Sequence, residues 1–194
     1  MAGAPGGLPV PCALILTGER GAGKTTLCLA LAALSARYLG IASPRVHDSA
    51  GTPVGIAARC IATAEEWVLA RSDRELDGPR YGRFSFSSTG IARAVDCLRG
   101  ILSPAAREAE ELRGGGGART VVVIDEIGPL ELEQGAGLAP VLGLLPDAGH
   151  LLLVVRPSLV VRVEPLVPRH ERTLVAVTPG NRSSLAQLID GLFG

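Results

Sequence analysis

Aromatic residues are scarce in this chain, at 3% of 194 residues. A core with so few aromatic rings must be built mainly from Val, Leu, Ile and Ala, which favours an α/β interior over an aromatic-rich β-sandwich. Neither sign of charge predominates, because 19 Lys and Arg balance 19 Asp and Glu. Nucleic-acid-binding proteins usually carry a basic excess, so no nucleic-acid partner is expected.

Other signals are missing as well. No apolar run is long enough to cross a membrane, and the Gly/Pro/Ala-rich residues 1–11 lack the positive charges of a signal peptide. The sequence therefore predicts a cytoplasmic protein with a single domain over residues 1–194. The cysteines lack the spacing of a metal site, and we expect neutral or buried thiols in a reducing compartment at Cys12, Cys28, Cys60 and Cys97.

What the chain does contain is an alternation of short apolar runs with stretches of helical periodicity. Such alternation is typical of a mostly parallel sheet covered by helices on both faces, a three-layer α/β fold. The apolar runs predict strands at residues 12–17, 120–125, 151–155 and 174–177. The periodic stretches predict helices at residues 25–38, with Gly40 as the stop, and at 89–102, 103–113, 138–145 (interrupted near Pro140) and 181–193.

Residues 41–87 have a different character, because Gly and Pro punctuate short extended runs. The runs at 54–62 and 67–70 predict a hairpin, and those at 41–46 and 83–87 predict further short strands. We expect a small β-hairpin insertion beside the main sheet. The glycines at 114–117 predict a flexible spacer.

The first predicted strand leads directly into a complete P-loop motif, G-x-x-x-x-G-K-T, at residues 18–25. Its glycines let the backbone point N–H groups at phosphate oxygens, and the N-terminus of the following helix adds a favourable field. Lys24 is expected to contact the β- and γ-phosphates, and the Thr25 hydroxyl to ligate Mg²⁺. The candidate nucleotide-binding residues of this loop are Gly18, Glu19, Arg20, Gly21, Ala22, Gly23, Lys24, Thr25 and Thr26.

An acidic pair, Asp125 and Glu126, ends a second buried strand. The carboxyl ends of strands in an open α/β sheet are where ligands bind. Asp125 is expected to hold Mg²⁺, mostly through water. Glu126 is expected to polarise the water that attacks the γ-phosphate, so Glu126 and Lys24 are the candidate catalytic residues. A kinase gains little from such an acid, because its acceptor brings its own oxygen.

Three segments give the chain a resemblance to the thermophile-type nucleoside-triphosphatases, which are small P-loop NTPases with a catalytic glutamate. The segments are residues 18–26, 125–132 and 177–185, and the Gly-Pro-Leu-Glu-Leu run after the acidic pair is the most specific part. Residues 80–84 also resemble the small β insertion of that family. Two stretches differ: residues 41–53 lack the Thr-Glu pair of better-known members, and the glycine spacer looks like an addition.

This resemblance implies a P-loop NTPase fold and a slow, Mg²⁺-dependent hydrolase with a broad preference among nucleoside triphosphates such as ATP and GTP. It also implies that Asn181 and Arg182 lie in the last strand-to-helix loop, near the base or ribose. An N-cap of the final helix is an equally good interpretation of Asn181, and the two roles are compatible.

Other interpretations stay open from the sequence. The acid at position 126 and the lack of an Arg-rich lid weigh against a nucleotide or small-metabolite kinase. The absence of an Asn-Lys-x-Asp motif weighs against a dedicated GTP switch, although a slow hydrolase can also act as a nucleotide-dependent binding module. Glu131 either orients water or is an ordinary surface carboxylate. An arginine that neutralises charge accelerates phosphoryl transfer, and the candidates for that role are Arg20, Arg156, Arg162 and Arg169.

Overall fold

The computed structural model describes residues 10–112 and 120–193, and the strands within them form one ten-stranded sheet. Five strands run parallel at its centre and at one edge, and the other five extend it in antiparallel fashion. This confirms the predicted α/β fold built on a parallel main sheet. The strands are β1 (Cys12–Thr17), β2 (Tyr38–Ala42), β3 (Arg45–His47), β4 (Pro53–Cys60), β5 (Glu66–Arg71), β6 (Arg80–Tyr81), β7 (Phe84–Phe86), β8 (Val121–Ile127), β9 (His150–Val155) and β10 (Glu171–Ala176).

The parallel strands lie in the order β10-β1-β9-β8-β2, and helices cover them. None of the described helices is both long enough and apolar enough to span a membrane. The predicted helix end at residue 113, the glycine spacer and residues 1–9 lie outside the described residues. The helices are α1 (Lys24–Leu34), α2 (Ser88–Leu102), α3 (Pro104–Leu112), α4 (Pro129–Leu132), α5 (Ala139–Leu142), α6 (Val160–Val163) and α7 (Arg182–Phe193), with 3-10 turns at Leu145–Asp147, Pro157–Leu159 and Glu164–Leu166.

Strand β1 shows why the sheet needs a helix layer on each face. Leu14 and Leu16 belong to a buried cluster that includes residues of α1 and α7. Ile15 points the other way and belongs to a second buried cluster, which includes residues of α2 and α5. A strand buried on both faces is apolar at nearly every position, so a continuous apolar run was the right signal for it.

Helix α1 ends at Leu34, one turn before the predicted end at residue 38, so that boundary was wrong. Ser35 is already extended, and the chain then enters β2, which pairs with β8. Gly40 lies within β2 and is not a helix stop. Its φ of +134° favours glycine, and a Cβ there would collide with the Val123 carbonyl oxygen of β8. Gly40 therefore allows these two strands to pair closely.

The hairpin insertion is present as β4 and β5, but it continues the main sheet instead of lying beside it. Strand β4 pairs antiparallel with β2 and with β3, and β5, β7 and β6 follow in that order. The predicted strand at 41–46 is split in two, because Pro44 falls between β2 and β3 and has no N–H for the ladder.

The predicted helix at 138–145 is shorter in the structure, where α5 covers four residues and Leu145–Asp147 forms a 3-10 turn. Pro140 is at the start of α5, where a helix tolerates proline, so the predicted interruption inside a longer helix was wrong. The sequence did not predict β6, α4 or α6, because elements of two to four residues show no periodicity.

Candidate active site

The carboxyl ends of the five parallel strands meet at one edge of the sheet, and each is followed by residues of the candidate site. Strand β1 leads into the P-loop, β2 leads into Ser43, and β8 carries Asp125 and Glu126 among its last three residues. Strand β9 lies between β1 and β8 and is followed by Arg156. Strand β10 is followed by the loop that contains Asn181. The topology thus brings together residues that are far apart in the sequence.

The P-loop takes its shape from glycines with positive φ, at Gly18 (+134°), Gly21 (+86°) and Gly23 (+95°). A Cβ on Gly18 would collide with the Val177 carbonyl oxygen, so the loop passes very close to the chain that follows β10. Gly23 is the N-cap of α1 and offers no side-chain cap, which leaves the first N–H groups of the helix for an anion. Ala22 is buried, and the exposed members of the loop are Glu19, Arg20, Gly21 and Thr26.

Lys24 is held over the P-loop by the carbonyl groups of that loop. Its Nζ donates to the carbonyl oxygens of Gly18, at 2.6 Å, and Glu19, at 2.9 Å. Burial lowers the pKa of Lys24, while the negative charges of Glu126 and Asp125 act in the opposite direction. The ammonium group therefore lies between the P-loop and the two acids, where it would meet a β- or γ-phosphate.

Asp125 is the least exposed acid of the site, at 2%. Burial raises the pKa of Asp125 to about 6, and hydrogen bonds from the Ser43 N–H and the Thr25 hydroxyl oppose that rise. The Ser43 N–H donates to Oδ2 at 2.8 Å, and Ser43 Oγ donates to the Asp125 carbonyl oxygen, also at 2.8 Å. Ser43 thus fixes both the backbone and the side chain of Asp125.

The contact between Thr25 and Asp125 fits a magnesium ion. Mg²⁺ prefers oxygen ligands and usually takes only one or two of them from the protein, with water and substrate phosphates as the rest. Thr25 and Asp125 offer a hydroxyl and a carboxylate at the mouth of the P-loop. The raised pKa of Asp125 also means that the surrounding protein does not fully compensate this buried charge, which a divalent cation would do. Among the described residues no cluster of three His, Cys, Asp or Glu could hold a metal without a substrate.

Glu126 occupies a bulge between β8 and β9, where the register shifts between Ile124 and Ile127. Its φ is +81°, a backbone conformation that non-glycine residues rarely adopt and that recurs at functional sites. A bulge redirects the side chain it carries. Here the Glu126 carboxylate meets Arg156, whose Nε donates to Oε1 at 2.8 Å.

The other candidate arginines do not contact the acids. Arg162 pairs with Glu133, Arg169 pairs with Asp147, and Arg20 is an exposed residue of the P-loop. Arg156 follows the strand that separates β1 from β8, so it lies between the phosphate loop and Glu126. Of the four arginines, Arg156 has the position that charge neutralisation requires.

Glu131 has a structural role. Its carboxylate accepts the N–H groups of Gly128, at 2.9 Å, and Leu138, at 3.2 Å. Burial raises the pKa of Glu131, and these two hydrogen bonds act against the rise. The side chain therefore fixes the turn between β8 and α4.

Asn181 and Arg182 lie in the connection between β10 and α7. Asn181 Oδ1 accepts the Thr178 N–H at 2.8 Å, and its Nδ2 donates to the Ala176 carbonyl oxygen at 2.9 Å. Its carboxamide thus fixes the loop, although the residue directly precedes α7. The Arg182 side chain lies over the P-loop, with Cδ and Nη1 at 2.9 and 3.0 Å from the position of a Cβ on Gly23.

Sequence reasoning missed two parts of the neighbourhood of the acids. One is Ser43, for which the available signal was a hydroxyl residue directly after a parallel strand. The other is a group of aromatic side chains from the antiparallel strands, Tyr81, Phe84 and Phe86. Their proximity to Glu126 depends on the order of strands across the sheet, and no local pattern reveals it.

Similarities to known proteins extend over most of the chain. A family model described as NTPase matches residues 13–189. The chain is 32% identical over 177 residues to the nucleoside-triphosphatase THEP1 of Thermofilum pendens, covering 88% of this chain and 89% of that protein. It is 29% identical over 132 residues to the nucleoside-triphosphatase THEP1 of Methanopyrus kandleri, covering 66% of this chain and 63% of that protein.

A solved structure shares the fold. The crystal structure of THEP1 from the hyperthermophile Aquifex aeolicus matches with a TM-score of 0.68 and 23% sequence identity, over 93% of this chain and 98% of that one. Similarity at this level of identity supports the predicted α/β P-loop fold and carries no information about substrate.

Proposed function

The chain belongs to the NTPase family, and from this premise we propose that it is a slow, Mg²⁺-dependent hydrolase that converts ATP, GTP and other nucleoside triphosphates into the diphosphate and phosphate. The observation that carries the proposal is the convergence of Lys24, Thr25, Asp125 and Glu126 at one edge of the sheet. The first three suit a metal-bound triphosphate, and the fourth suits an attacking water.

The P-loop and Lys24 bind and orient the phosphates. The backbone N–H groups at the start of α1 point at the phosphate oxygens, and the Lys24 ammonium adds a full positive charge beside the γ-phosphate. Because the glycines and the carbonyl contacts already hold Lys24 in place, little reorganisation is needed when the triphosphate binds.

Thr25 and Asp125 are the residues that would hold Mg²⁺. When bound, the ion would neutralise the negative charge of the phosphates, which shifts as the bond between the γ-phosphorus and the β–γ bridging oxygen breaks. Ser43 keeps the Asp125 carboxylate aimed at this position through its backbone N–H.

Glu126 acts on the water. Its carboxylate accepts a proton from the water as the water oxygen attacks the γ-phosphorus and the bond to the β–γ bridging oxygen breaks. Arg156 is bound to that carboxylate, and a γ-phosphate would compete for its guanidinium. Transfer of Arg156 from Glu126 to the γ-phosphate would free the base and bring positive charge to the phosphoryl group that is transferred.

The hydrogen bonds of Asn181 agree with a broad preference among nucleobases. Both polar ends of its carboxamide are used by the backbone of its own loop. Half of its hydrogen-bonding capacity is therefore committed to the loop, which weakens its use in distinguishing one base edge from another.

The test is phosphate release from ATP, GTP, CTP and UTP in the presence and absence of Mg²⁺. The native protein is compared with Glu126→Gln and with the control Glu133→Gln, which removes an exposed carboxylate paired with Arg162. We expect release from several nucleotides only with Mg²⁺. We also expect a loss of roughly 10²- to 10⁴-fold in Glu126→Gln with nucleotide binding retained, and near-native rates in the control.

Three results would contradict parts of the proposal. Nucleotide binding without phosphate release by the native protein would remove the hydrolase activity. Equal turnover in native protein and Glu126→Gln would remove the water-activating role from that residue. Activity that persists after chelation of divalent cations would remove Mg²⁺.

A further inference from the structure

A cleft opens beside Asp125 and Glu126, and one of its walls is formed by residues of the antiparallel strands. It is partly open to solvent. Apolar side chains of β4, β5, α2 and α4 line it, together with Leu138 directly before α5. We call it the aromatic cleft, after Tyr81, Phe84 and Phe86.

Aromatic side chains are concentrated in this cleft. The chain has one Trp, two Tyr and three Phe, and three of these six residues line the cleft. All three are only half buried, so the folded chain leaves part of each ring available. In a protein with so few aromatic residues, an open concave surface of rings is typical of a site for an apolar or aromatic ligand.

The aromatic cleft shares its edge with the proposed hydrolytic site. Asp125, Glu126 and Arg156 are among its lining residues, whereas none of residues 18–26 is. A molecule in the cleft and a triphosphate on the P-loop would therefore reach Glu126 from different directions. Attack by water needs no apolar or aromatic lining, so hydrolysis alone does not account for the cleft.

The charge of the lining restricts the ligand. Three carboxylates line the cleft beside one guanidinium, from Arg156. Asp125 is compensated by the Mg²⁺ of the proposed function, which leaves the carboxylates of Glu126 and Glu131 to set the charge of the cleft. Arg156 is already paired with Glu126. An anionic molecule would be repelled by the uncompensated negative charge. A cation would be attracted by the carboxylates and also by the faces of the aromatic rings. A neutral or positively charged ring compound is the class that fits.

We propose that the aromatic cleft binds a neutral or cationic aromatic alcohol as a phosphoryl acceptor, in competition with water. This inference rests on the proposed function, because the same P-loop supplies the nucleoside triphosphate. The hydroxyl group of the alcohol points at the edge that the cleft shares with Glu126, and the ring lies against Phe84 and its aromatic neighbours.

The transfer step needs no reagent beyond the triphosphate. The alcohol oxygen forms a bond to the γ-phosphorus while the bond from that phosphorus to the β–γ bridging oxygen breaks. The Glu126 carboxylate accepts the hydroxyl proton, and the nucleoside diphosphate leaves with the bond electrons. The products are a phosphate monoester and the diphosphate. The same base then serves water or an alcohol, since both lose a proton as they attack, and the acid at position 126 no longer weighs against an acceptor as it did from the sequence alone.

Three small probes that differ mainly in charge test the inference. Benzyl alcohol is neutral, 4-(aminomethyl)benzyl alcohol is cationic, and 4-(hydroxymethyl)benzoate is anionic. Each is incubated with the protein, Mg²⁺ and ATP labelled on the γ-phosphate, and labelled phosphate monoester is measured beside free phosphate. We expect monoester from the neutral and cationic probes and little from the anionic one.

Variants separate the cleft from the hydrolytic site. Phe84→Ala should lower monoester formation roughly tenfold or more, because it removes a ring that contacts the probe, and Phe84→Leu should restore part of it. Release of phosphate from ATP without an alcohol should stay near the native rate in both. The control Leu188→Ala removes an exposed apolar side chain of α7 and should change neither product. Thermal unfolding of each variant shows that it is folded.

The outcomes distinguish this inference from the proposed function. Hydrolysis of ATP without labelled monoester from any probe would overturn the acceptor site and leave the hydrolase intact. Equal transfer to all three probes, unchanged by Phe84→Ala, would overturn it as well. Monoester formation from the neutral and cationic probes without hydrolysis in their absence would support the acceptor site and sink the hydrolase proposal instead.

Discussion

The guanidinium of Arg156 and the carboxylate of Glu126 form an ion pair across the ends of two neighbouring strands, with Nε and Nη2 at 2.8 and 2.7 Å from Oε1. The two side chains are 52% and 42% exposed. Ion pairs with this much solvent contact contribute only about 0–1 kcal/mol to the free energy of unfolding. A pair that contributes so little to stability is easily exchanged, so a γ-phosphate can take Arg156 from Glu126.

Replacement of Arg156 tests that exchange. We expect Arg156→Ala to lower kcat roughly 10³-fold, because an arginine that meets the transferred phosphoryl group has an effect of about this size or larger. Steady-state phosphate release gives kcat, and binding of a fluorescent nucleotide analogue gives affinity. Arg162→Ala is the matched control, since Arg162 also pairs with a half-exposed glutamate but lies away from the P-loop. Equal losses in the two variants would contradict the role assigned to Arg156.

Arg182 should affect binding more than chemistry. Its side chain lies against Gly23, so it can donate to phosphate or ribose oxygens. Loss of a hydrogen bond to a charged group costs about 1.5–3 kcal/mol, so Arg182→Ala should raise KM roughly tenfold or more with kcat nearly unchanged. Arg172→Ala, an exposed arginine of β10, serves as the comparison. A fall in kcat with KM unaltered would place Arg182 in the reaction step instead.

Alanine substitutions at Gly40 and Gly100 should change the free energy of unfolding in opposite directions. At Gly40 the new Cβ would meet the carbonyl of Val123 on the paired strand, at a φ of +134°, so Gly40→Ala should lower the free energy of unfolding by at least ~2 kcal/mol. At Gly100, in α2, open space surrounds the Cβ position. Gly100→Ala should therefore raise the free energy of unfolding by about 0.5–1 kcal/mol, because alanine has a higher helix propensity than glycine. Urea unfolding measures both, and a neutral Gly40→Ala would show that β2 and β8 are less tightly paired than described.

Burial of the His170 side chain should make the folded protein less stable in acid. The side chain is 6% exposed, Nε2 lies 2.9 Å from the Gly149 carbonyl oxygen, and Nδ1 has no hydrogen-bond partner in the described part of the chain. Burial lowers the pKa of His170 below its ordinary 6.5. As the pH falls through 6.5, the unfolded chain therefore takes up a proton that the folded chain excludes, and stability falls by up to about 1.4 kcal/mol per pH unit. Above that value both states are neutral and the effect vanishes.

The measurement is urea unfolding at about pH 7.5 and about pH 5.5 for native protein and for His170→Gln, whose amide can still donate to the Gly149 carbonyl. The variant should lose less stability between the two values than the native protein does. An identical pH dependence in both proteins would show that other groups cause it.

Local sequence was sufficient to predict β1, β8 and β9 to within two residues, but it missed residues 38–40 of β2 and 171–173 of β10. Strand β1 was predicted residue for residue, because a strand buried on both faces is apolar throughout and ends at a glycine-rich turn. The P-loop and the acidic pair could also be recognised from local sequence, because each is a short contiguous segment. Periodicity failed at the end of α1, because the helix stops at Leu34, Ser35 is already extended, and β2 begins at Tyr38.

The rest of the site depends on contacts between distant segments. The Ser43 hydrogen bonds to Asp125 span 82 residues, and the Arg156 contact with Glu126 spans 30. Neither contact has a local signature, because each requires knowledge of which strands are neighbours. The same holds for the aromatic cleft, whose wall became visible only once the antiparallel strands were found to continue the main sheet.

The positive φ of Glu126 sets its proposed catalytic role against the stability of the fold. A glycine would adopt +81° without the strain that a side chain brings there, on the order of 1–3 kcal/mol, but it would have no carboxylate. A chain optimised for heat resistance alone would therefore carry glycine at this position, whereas a chain optimised for the proposed turnover would carry glutamate.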